Sequence, residues 1–446
     1  MQQIAATASQ LLLAIAIPYF LATVFLGVRV ARRSGGLSAQ ERPPADPEAS
    51  AERYHVYFLV PCLNEGLVIE ETVRRLLADP DCRVVVIDDG SDDDTAARAR
   101  AAAAGLKAGS RRVHIVSRVR PDARQGKGAA LNAALPFVVA SAKRRRLDLD
   151  HVVVAVMDAD GRLSGGGSVA PLVHFDDARV GAVQLIVRIR NRQRWICRFQ
   201  DIEFWMISAV SQFARSLTGT VSLGGNGQFT RLSALLSLDG DPWSRSLTED
   251  LDLGLRLSGA GWRVTTTVGA FVDQQGVESY RRLLRQRTRW YQGHLGCISR
   301  LPELWRSEDV SQVALIELTS YLLVPWLIVL PWSVLQQWVV YQLVIGSGAG
   351  VLATGLGSLG WKIAYAVLWY VISFLPNLVI GVTYARRTRA ITLGQALVLG
   401  HLMIVWNYIG YFAVWRALMR MARGRTGWDK TARTHDTVVA HELVTA

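Results

Sequence analysis

Residues His151–Gly161 read "HVVVAVMDADG", a run of β-branched residues that ends in two carboxylates one residue apart. An apolar run with no polar alternation suits a strand buried on both faces, and such strands belong to parallel sheets covered by helices. In an open sheet of that kind the ligand lies beyond the carboxyl ends of the strands. Asp158 and Asp160 therefore stand where chemistry is expected.

The same pattern recurs on either side. "VYFLV" from Val56, "RVVVID" from Arg83, "RVHIV" from Arg112 and "VGAVQLIV" from Val180 are further strand candidates. Between them, "ETVRRLLAD", "TAARARAAAAG" and "GKGAALNAALPFVVASAK" have helical composition and spacing. Strands alternating with helices predict an α/β, Rossmann-like domain with a mostly parallel sheet. No internal repeat is present.

The turns after these strands carry polar groups. Asp88 and Asp89 end the second run, where they can close the strand and, with Ser91 and Thr95, cap the next helix, or accept hydrogen bonds from a nucleoside. Asp158 and Asp160 are hard oxygen ligands of the kind that Mg²⁺ or Mn²⁺ takes together with a diphosphate, although acidic turns also serve solubility and capping. Lys127, in "RQGKGAALN", is either a helix-start lysine or a point charge for a diphosphate at a helix N-terminus. No GxGxxG is present, and "GKG" is no P-loop, because Pro121 stands at the first glycine position and Gly128 at that of the Ser/Thr. Further on, "SLTEDLDLGLRLSGAGW" reads as a helix with Thr248 as N-cap, Glu249 and Asp250 in its first turn and Gly261 as its stop, an arrangement that the helix macrodipole alone would favour.

The remaining segments point to a bilayer. From Gln10 to Val30 no charge occurs before Arg29, a length that can span a membrane, and the flanking "ARRSGG" marks a retained anchor rather than a signal peptide. Apolar segments from Val313, Trp361 and Leu393 repeat the signal. The net charge of +13 over 446 residues is concentrated beside these segments, at Arg29, Arg32, Arg33, Arg386, Arg387, Arg389, Arg420 and Arg423. That placement fits cytoplasmic flanks meeting anionic lipid, so no nucleic-acid partner is expected. The reading is a multi-pass protein of the cell membrane, with its N-terminus outside and its α/β domain cytosolic. Four widely separated cysteines indicate neither a disulfide framework nor a zinc site. The expected organisation is an anchor (1–33), a linker (34–53), the α/β domain (54–275), amphipathic interfacial helices (276–311), transmembrane or interfacial helices (312–420) and a cytosolic tail (421–446).

Taken in order, "VPCLNEG", "VVVIDDGSDDDT", "GKGAALN", "MDADG", "GGNGQF", "LTEDLDL" and "QRTRW" resemble the motifs of the family 2 glycosyltransferases, the GT-A enzymes that include cellulose, hyaluronan and chitin synthases. The resemblance covers Val56 to Gly296 and implies an inverting, metal-dependent transfer from a nucleotide-sugar, with UDP the expected nucleotide. The acceptor it implies is a β-linked saccharide, with a lipid such as diacylglycerol or a polyprenyl carrier as the alternative. It places Pro61, Asn64, Glu65, Asp88 and Asp89 around the nucleotide, Lys127 and Arg289 at the diphosphate, and Asp158 and Asp160 at the Mg²⁺ or Mn²⁺, with Asp160 the expected direct ligand. Asp250 is implied as general base, with Glu249 beside it, and Gly225, Asn226, Gln286 and Trp290 on the acceptor side. "GGNG" departs from the cysteine- and serine-containing versions in cellulose synthases, which leaves the acceptor open.

Gln286, Arg289 and Trp290 are spaced i, i+3, i+4 and share one helix face. Arg281, Arg282, Arg285 and Arg287 are expected on other faces, against lipid phosphates. At the C-terminus "GWDKTAR" resembles the gating segment of hyaluronan and chitin synthases, with Trp428, Lys430, Thr431 and Arg433 as its candidate residues; an ordinary basic juxtamembrane tail has the same composition. A cytosolic tail and an external N-terminus need an odd number of crossings, whereas the anchor and three apolar segments make four. The segment from Leu393 is therefore expected to be interfacial or re-entrant, because a hairpin broken at Pro325 and Pro331 would put "ARRTR" outside.

Overall fold

The computed structural model describes residues 2–33, 52–104, 109–344, 359–425 and 427. Its centre is an eight-stranded sheet in the order β3-β2-β1-β4-β7-β6-β8-β5. The strands are β1 (His55–Cys62), β2 (Arg83–Asp88), β3 (Val113–Ser117), β4 (Val152–Val156), β5 (Arg162–Leu163), β6 (Val180–Ile189), β7 (Gln228–Arg231) and β8 (Arg263–Gln274). β3, β2, β1 and β4 are mutually parallel. All five apolar runs form strands, but β6 does not continue the parallel block, since β7 intervenes antiparallel to both β4 and β6.

Burial on both faces explains the unbroken apolar runs. Along β1, Val56, Phe58 and Val60 pack into one core with helices α1 (Ile69–Leu76) and α2 (Thr95–Ala104). The alternate residues Tyr57 and Leu59 face a second core with α3 (Lys127–Arg144). Each fully buried Val, Leu or Phe side chain contributes about 1.5–3 kcal/mol, so the run from Val56 to Val60 has no solvent face. The chain leaves β1 towards β2 on one side and returns to β4 on the other, which opens a crevice at the carboxyl ends of β1 and β4.

A long helical excursion, Trp195–Asp201, a π-helical segment Ile202–Ser208 and Ala209–Ser216, follows β6. It carries the platform on which the outer helices rest. The N-terminal helix Gln2–Arg33 meets it at Gly27, where a Cβ would lie 2.1 Å from the Val210 carbonyl oxygen. Ala31 shares a cluster with Phe199, Trp205, Phe213, Tyr384, Met403 and Trp406, so this end of the helix is packed on the α/β domain rather than joined to it by the linker alone.

Among the described residues two helices are long and apolar enough to cross a membrane, Gln312–Gln337 and Leu393–Ala422. The first runs through a π-helical turn at Val324–Val329 without reversing, so no hairpin forms there. The helix Leu393–Ala422 starts at a capping box of Thr392 and Gln395 and continues unbroken for 30 residues, or ~45 Å at 1.5 Å per residue. Nothing interrupts its hydrogen bonding, which corrects the re-entrant form of the expectation for this segment. The candidate gating residues Trp428, Lys430, Thr431 and Arg433 lie outside the described residues.

Candidate active site

Lys127 is the first residue of α3, preceded by Gly126 at φ 111°, a backbone conformation that glycine adopts without cost. Its Nζ donates to Asp158 Oδ1 at 2.6 Å and to the Gly225 carbonyl. A Cβ on Gly225 would lie 2.8 Å from Lys127 Nζ and 3.3 Å from Asp250 Oδ2, so only glycine lets these groups meet. Asp250 stands in the first turn of the helix Glu249–Gly259, with Oδ1 accepting from the Leu251 amide at 2.8 Å. Three charged side chains distant in sequence thus come together beside Gly225, with Lys127 between the two carboxylates and the glycine carbonyl.

Burial shapes their charge. Desolvation, followed by the neighbouring Asp250 charge, raises Glu249 to about 7, and burial likewise raises Asp250 above the usual carboxylate range. Burial works against the Lys127 ammonium, but Asp158, Glu249 and Asp250 outweigh it and hold the lysine above its ordinary value. The Arg289 charge acts on both Glu249 and Asp250 in the same stabilising sense.

These groups line a cleft of about 440 Å³ together with Pro61, Glu65, Asp89, Asn226, Gln286, Arg289 and Trp290. That size suits a small-molecule substrate. Asn226 is buried, with Oδ1 accepting from the Asp158 amide at 3.2 Å and Nδ2 donating to Gln274 at 3.0 Å. Asn64, Asp88 and Asp160 are not part of the lining. Asn64, at φ 53°, accepts from the Asp92 amide at 2.7 Å, and Asp88 accepts from the Ser91 amide at 3.0 Å, so both shape the loops after β1 and β2. Asp93, rather than Ser91, accepts from the first amide of the helix at Thr95, at 3.0 Å. Asp89 is buried against Arg118, and desolvation raises its carboxyl.

Of the Asp-x-Asp pair, Asp158 faces the cleft. Asp160 is 1% exposed and accepts from the Gln275 amide at 3.0 Å. Among the described residues no group of three or more His, Cys, Asp or Glu side chains is arranged to hold a metal ion. The protein's hard oxygens at this position fit Mg²⁺ or Mn²⁺ only if diphosphate oxygens and water complete the shell, as these cations favour on phosphate substrates.

Gln286, Arg289 and Trp290 reach the cleft from one face of the helix Tyr280–Gly296. That helix packs closely because Gly293 faces Thr248; a Cβ there would lie 2.4 Å from the threonine Oγ1. Thr248 occupies the N-cap position, but its hydroxyl lies against Cys297 Sγ at 3.8 Å and caps nothing. Arg281, Arg282 and Arg285 are exposed. Arg287 is not: it pairs with Glu203 and lies 4.3 Å from the Trp290 ring centroid, because the π-helical segment brings Glu203 and Phe204 against this face. One face of Trp290 is therefore taken by protein.

The family model of the glycosyltransferase-like family 2 matches residues 53–293, more than half of the chain. The chain belongs to this family. Its family 2 domain is 31% identical over 244 residues to the beta-monoglucosyldiacylglycerol synthase of Trichormus variabilis, covering 53% of this chain and 48% of that protein. It is 26% identical over 242 residues to the poly-beta-1,6-N-acetyl-D-glucosamine synthase of Staphylococcus aureus, covering 53% and 54%. The chain spans about half the length of these relatives. The mannosyltransferase PcManGT from Pyrobaculum calidifontis, solved with GDP-Man and Mn²⁺, superposes with a TM-score of 0.51 at 19% identity, over 90% of this chain and 99% of that one, which shows a shared fold.

Several residues in and around the cleft escaped the motif reading. Buried Gln184 donates to the Asn226 carbonyl at 2.8 Å and accepts from the Gly224 amide at 2.7 Å, fixing the "GGNG" loop. A glutamine inside the apolar run "VGAVQLIV" was the available signal. His294 and Tyr321 also line the cleft, their rings 4.8 Å apart. His294 follows Trp290 by four residues and so extends the Gln-Arg-Trp face. Gln292, on the same helix, accepts from Arg420 at 2.9 Å and donates to the Arg425 carbonyl at 2.6 Å, which ties the chain after Ala422 to this helix.

Proposed function

We propose that the protein transfers a sugar, with inversion, from a nucleoside-diphosphate sugar to an acceptor hydroxyl presented at a membrane, extending a β-linked saccharide. The observation that carries this reading is the convergence of Lys127, Asp158 and Asp250 on Gly225 at the switch point of the sheet. The acceptor oxygen attacks the anomeric carbon as the bond to the diphosphate breaks, through an oxocarbenium-like state. Asp250 takes the hydroxyl proton, and Lys127 and Arg289 offset the charge that grows on the departing nucleoside diphosphate. A bound Mg²⁺ or Mn²⁺, held by Asp158 with Asp160 behind it, would supply Lewis-acid stabilisation of that diphosphate. Trp290 and Gln286 border the acceptor side, with one face of the indole available to a sugar ring.

The arginine flanks support a membrane protein with the catalytic domain on the cytosolic side and the N-terminus outside. A second reading, transfer to a lipid such as diacylglycerol, is supported by the relatives named beta-monoglucosyldiacylglycerol synthase and by a cleft wall that includes Tyr321 of the membrane-type helix Gln312–Gln337. A panel of UDP- and GDP-sugars with Mn²⁺, scored by nucleotide release, tests transfer itself; no release with any donor removes the proposal. Product size with radiolabelled donor then separates the acceptors, a ladder marking a growing saccharide and one organic-soluble species a glycolipid.

A further inference from the structure

A second cavity, of about 270 Å³, lies at the opposite edge of the sheet from the cleft. It opens at the amino ends of β2 and β3, and its wall is Arg83, Arg111, Arg112, Arg144, Arg145 and His114. Among the described residues none of the five arginines forms an ion pair. The nearby Asp79 is engaged elsewhere, by Ser168 and by the Asp81 amide at 3.0 Å.

Three of the guanidinium groups are held in place by the fold. Arg112 donates to the carbonyls of Asp79 at 2.6 Å and Leu77 at 2.9 Å. Arg83 donates to the Arg111 carbonyl at 3.2 Å, and Arg145 to the Tyr57 hydroxyl at 3.3 Å. That hydroxyl lies 2.9 Å from Ser141 Oγ, a buried polar group that also lines the hollow. His114 and Phe137 stack at 3.6 Å and 3° to make a rigid wall. Burial first, then the charges of Arg145 and Arg112, press Arg83 below the ordinary arginine range. Like charges fixed around one hollow repel, and a bound anion relieves that repulsion through charge-assisted hydrogen bonds.

We propose that this hollow is a binding site for a multiply charged phosphate group of diphosphate size, separate from the donor cleft. Five guanidinium groups around one hollow favour a multiply charged anion over a monovalent carboxylate, and each guanidinium fork can take two oxygens of a phosphate group. The outer helices pack on Trp195–Ser216 and around Tyr280–Gly296, away from this edge, so the hollow remains open beside them.

Calorimetric titration of the full chain in detergent with sodium pyrophosphate tests the site, with EDTA present so that no divalent cation assists the cleft. Binding is expected, weakened at least about tenfold in Arg83→Gln/Arg145→Gln. Arg144→Glu, an exposed position without a hydrogen bond among the described residues, keeps the fold and is also expected to weaken binding. Lys127→Met, which disarms the cleft, is expected to leave it intact. Displacement of pyrophosphate by short-chain phosphatidylglycerol identifies a lipid headgroup as the source of the anion, and failure to displace it a soluble one. No binding to the unaltered chain, unchanged affinity in both arginine variants, or loss in Lys127→Met alone overturns the site.

Discussion

Asp250 is the residue on which the proposed chemistry turns, and its surroundings set a direction for its pH dependence. Burial raises its carboxyl, yet it must be ionised to accept a proton from the acceptor. Transfer by the unaltered protein should therefore fall on acidification with an apparent pKa above the ~3.9 of an ordinary aspartate. Asp250→Asn should lower kcat about 10²–10⁴-fold while nucleotide binding persists; undiminished transfer would remove the assignment. Glu249 gives a matching stability signature. Its folded pKa, near 7, lies above the unfolded 4.5, so its contribution to stability is complete below 4.5 and is lost as pH rises through 7. Thermal melts between pH 5 and 8 should show this loss, and Glu249→Gln should flatten it. On the neighbouring helix, Trp290→Ala should damage transfer more than Arg282→Ala, since only Trp290 borders the cleft.

At the scale of elements, the buried parallel strands were legible because burial on both faces leaves an uninterrupted apolar run. β7 and β8 were not. β7 is the four-residue "QFTR", too short for a period to register, and "RVTTTVGAFVDQ" of β8 mixes threonines that hydrogen-bond inside the sheet, as Thr266 does to the Gln184 carbonyl at 2.7 Å. The site followed the same division. The family resemblance brought Lys127, Asp158, Gly225 and Asp250 into one reading, whereas Gln184 and Tyr321 carry no motif and reach the cleft only through the fold. Arg287 was misplaced because a π-helical segment cannot be read from composition, and it is that segment that presents Glu203. The helix Tyr280–Gly296 depends on one small residue for its approach to the catalytic turn. Gly293→Val should push its Cβ into Thr248 and displace Arg289 and Trp290 together. Transfer should drop sharply with a loss of about 1–3 kcal/mol in stability, and Thr248→Ala in the same chain should restore part of both; a neutral Gly293→Val would show that the helix does not need this contact.

Across the whole molecule, the outer helices are coupled to the catalytic domain by buried polar contacts rather than by apolar packing alone. Tyr384 donates to Asp201 at 2.8 Å, and Asp201 also accepts from the Ile189 amide at 2.7 Å, so one carboxylate joins an outer helix to strand β6. On the other flank Arg215, 4% exposed, pairs with Glu317 of the helix Gln312–Leu323 at 2.7 Å and lies 3.8 Å from the Tyr321 ring centroid. Tyr321 in turn lines the cleft, so the position of this helix bears on the shape of the cleft. Removing one partner of a buried pair leaves an uncompensated charge, whereas removing both leaves a shape that apolar groups can fill. Glu317→Ala should therefore lower stability in detergent by about 3–5 kcal/mol and raise the acceptor KM, because the helix loses its hold on the domain. Arg215→Met/Glu317→Leu should recover most of the stability, since the hydrophobic replacements suit the same enclosure. Thermal unfolding of the single and double variants decides the matter: if the double variant melts no higher than Glu317→Ala, the buried charge is not what the pair contributes, and the helix is held by its apolar contacts to Leu251, Leu255 and Leu304 instead.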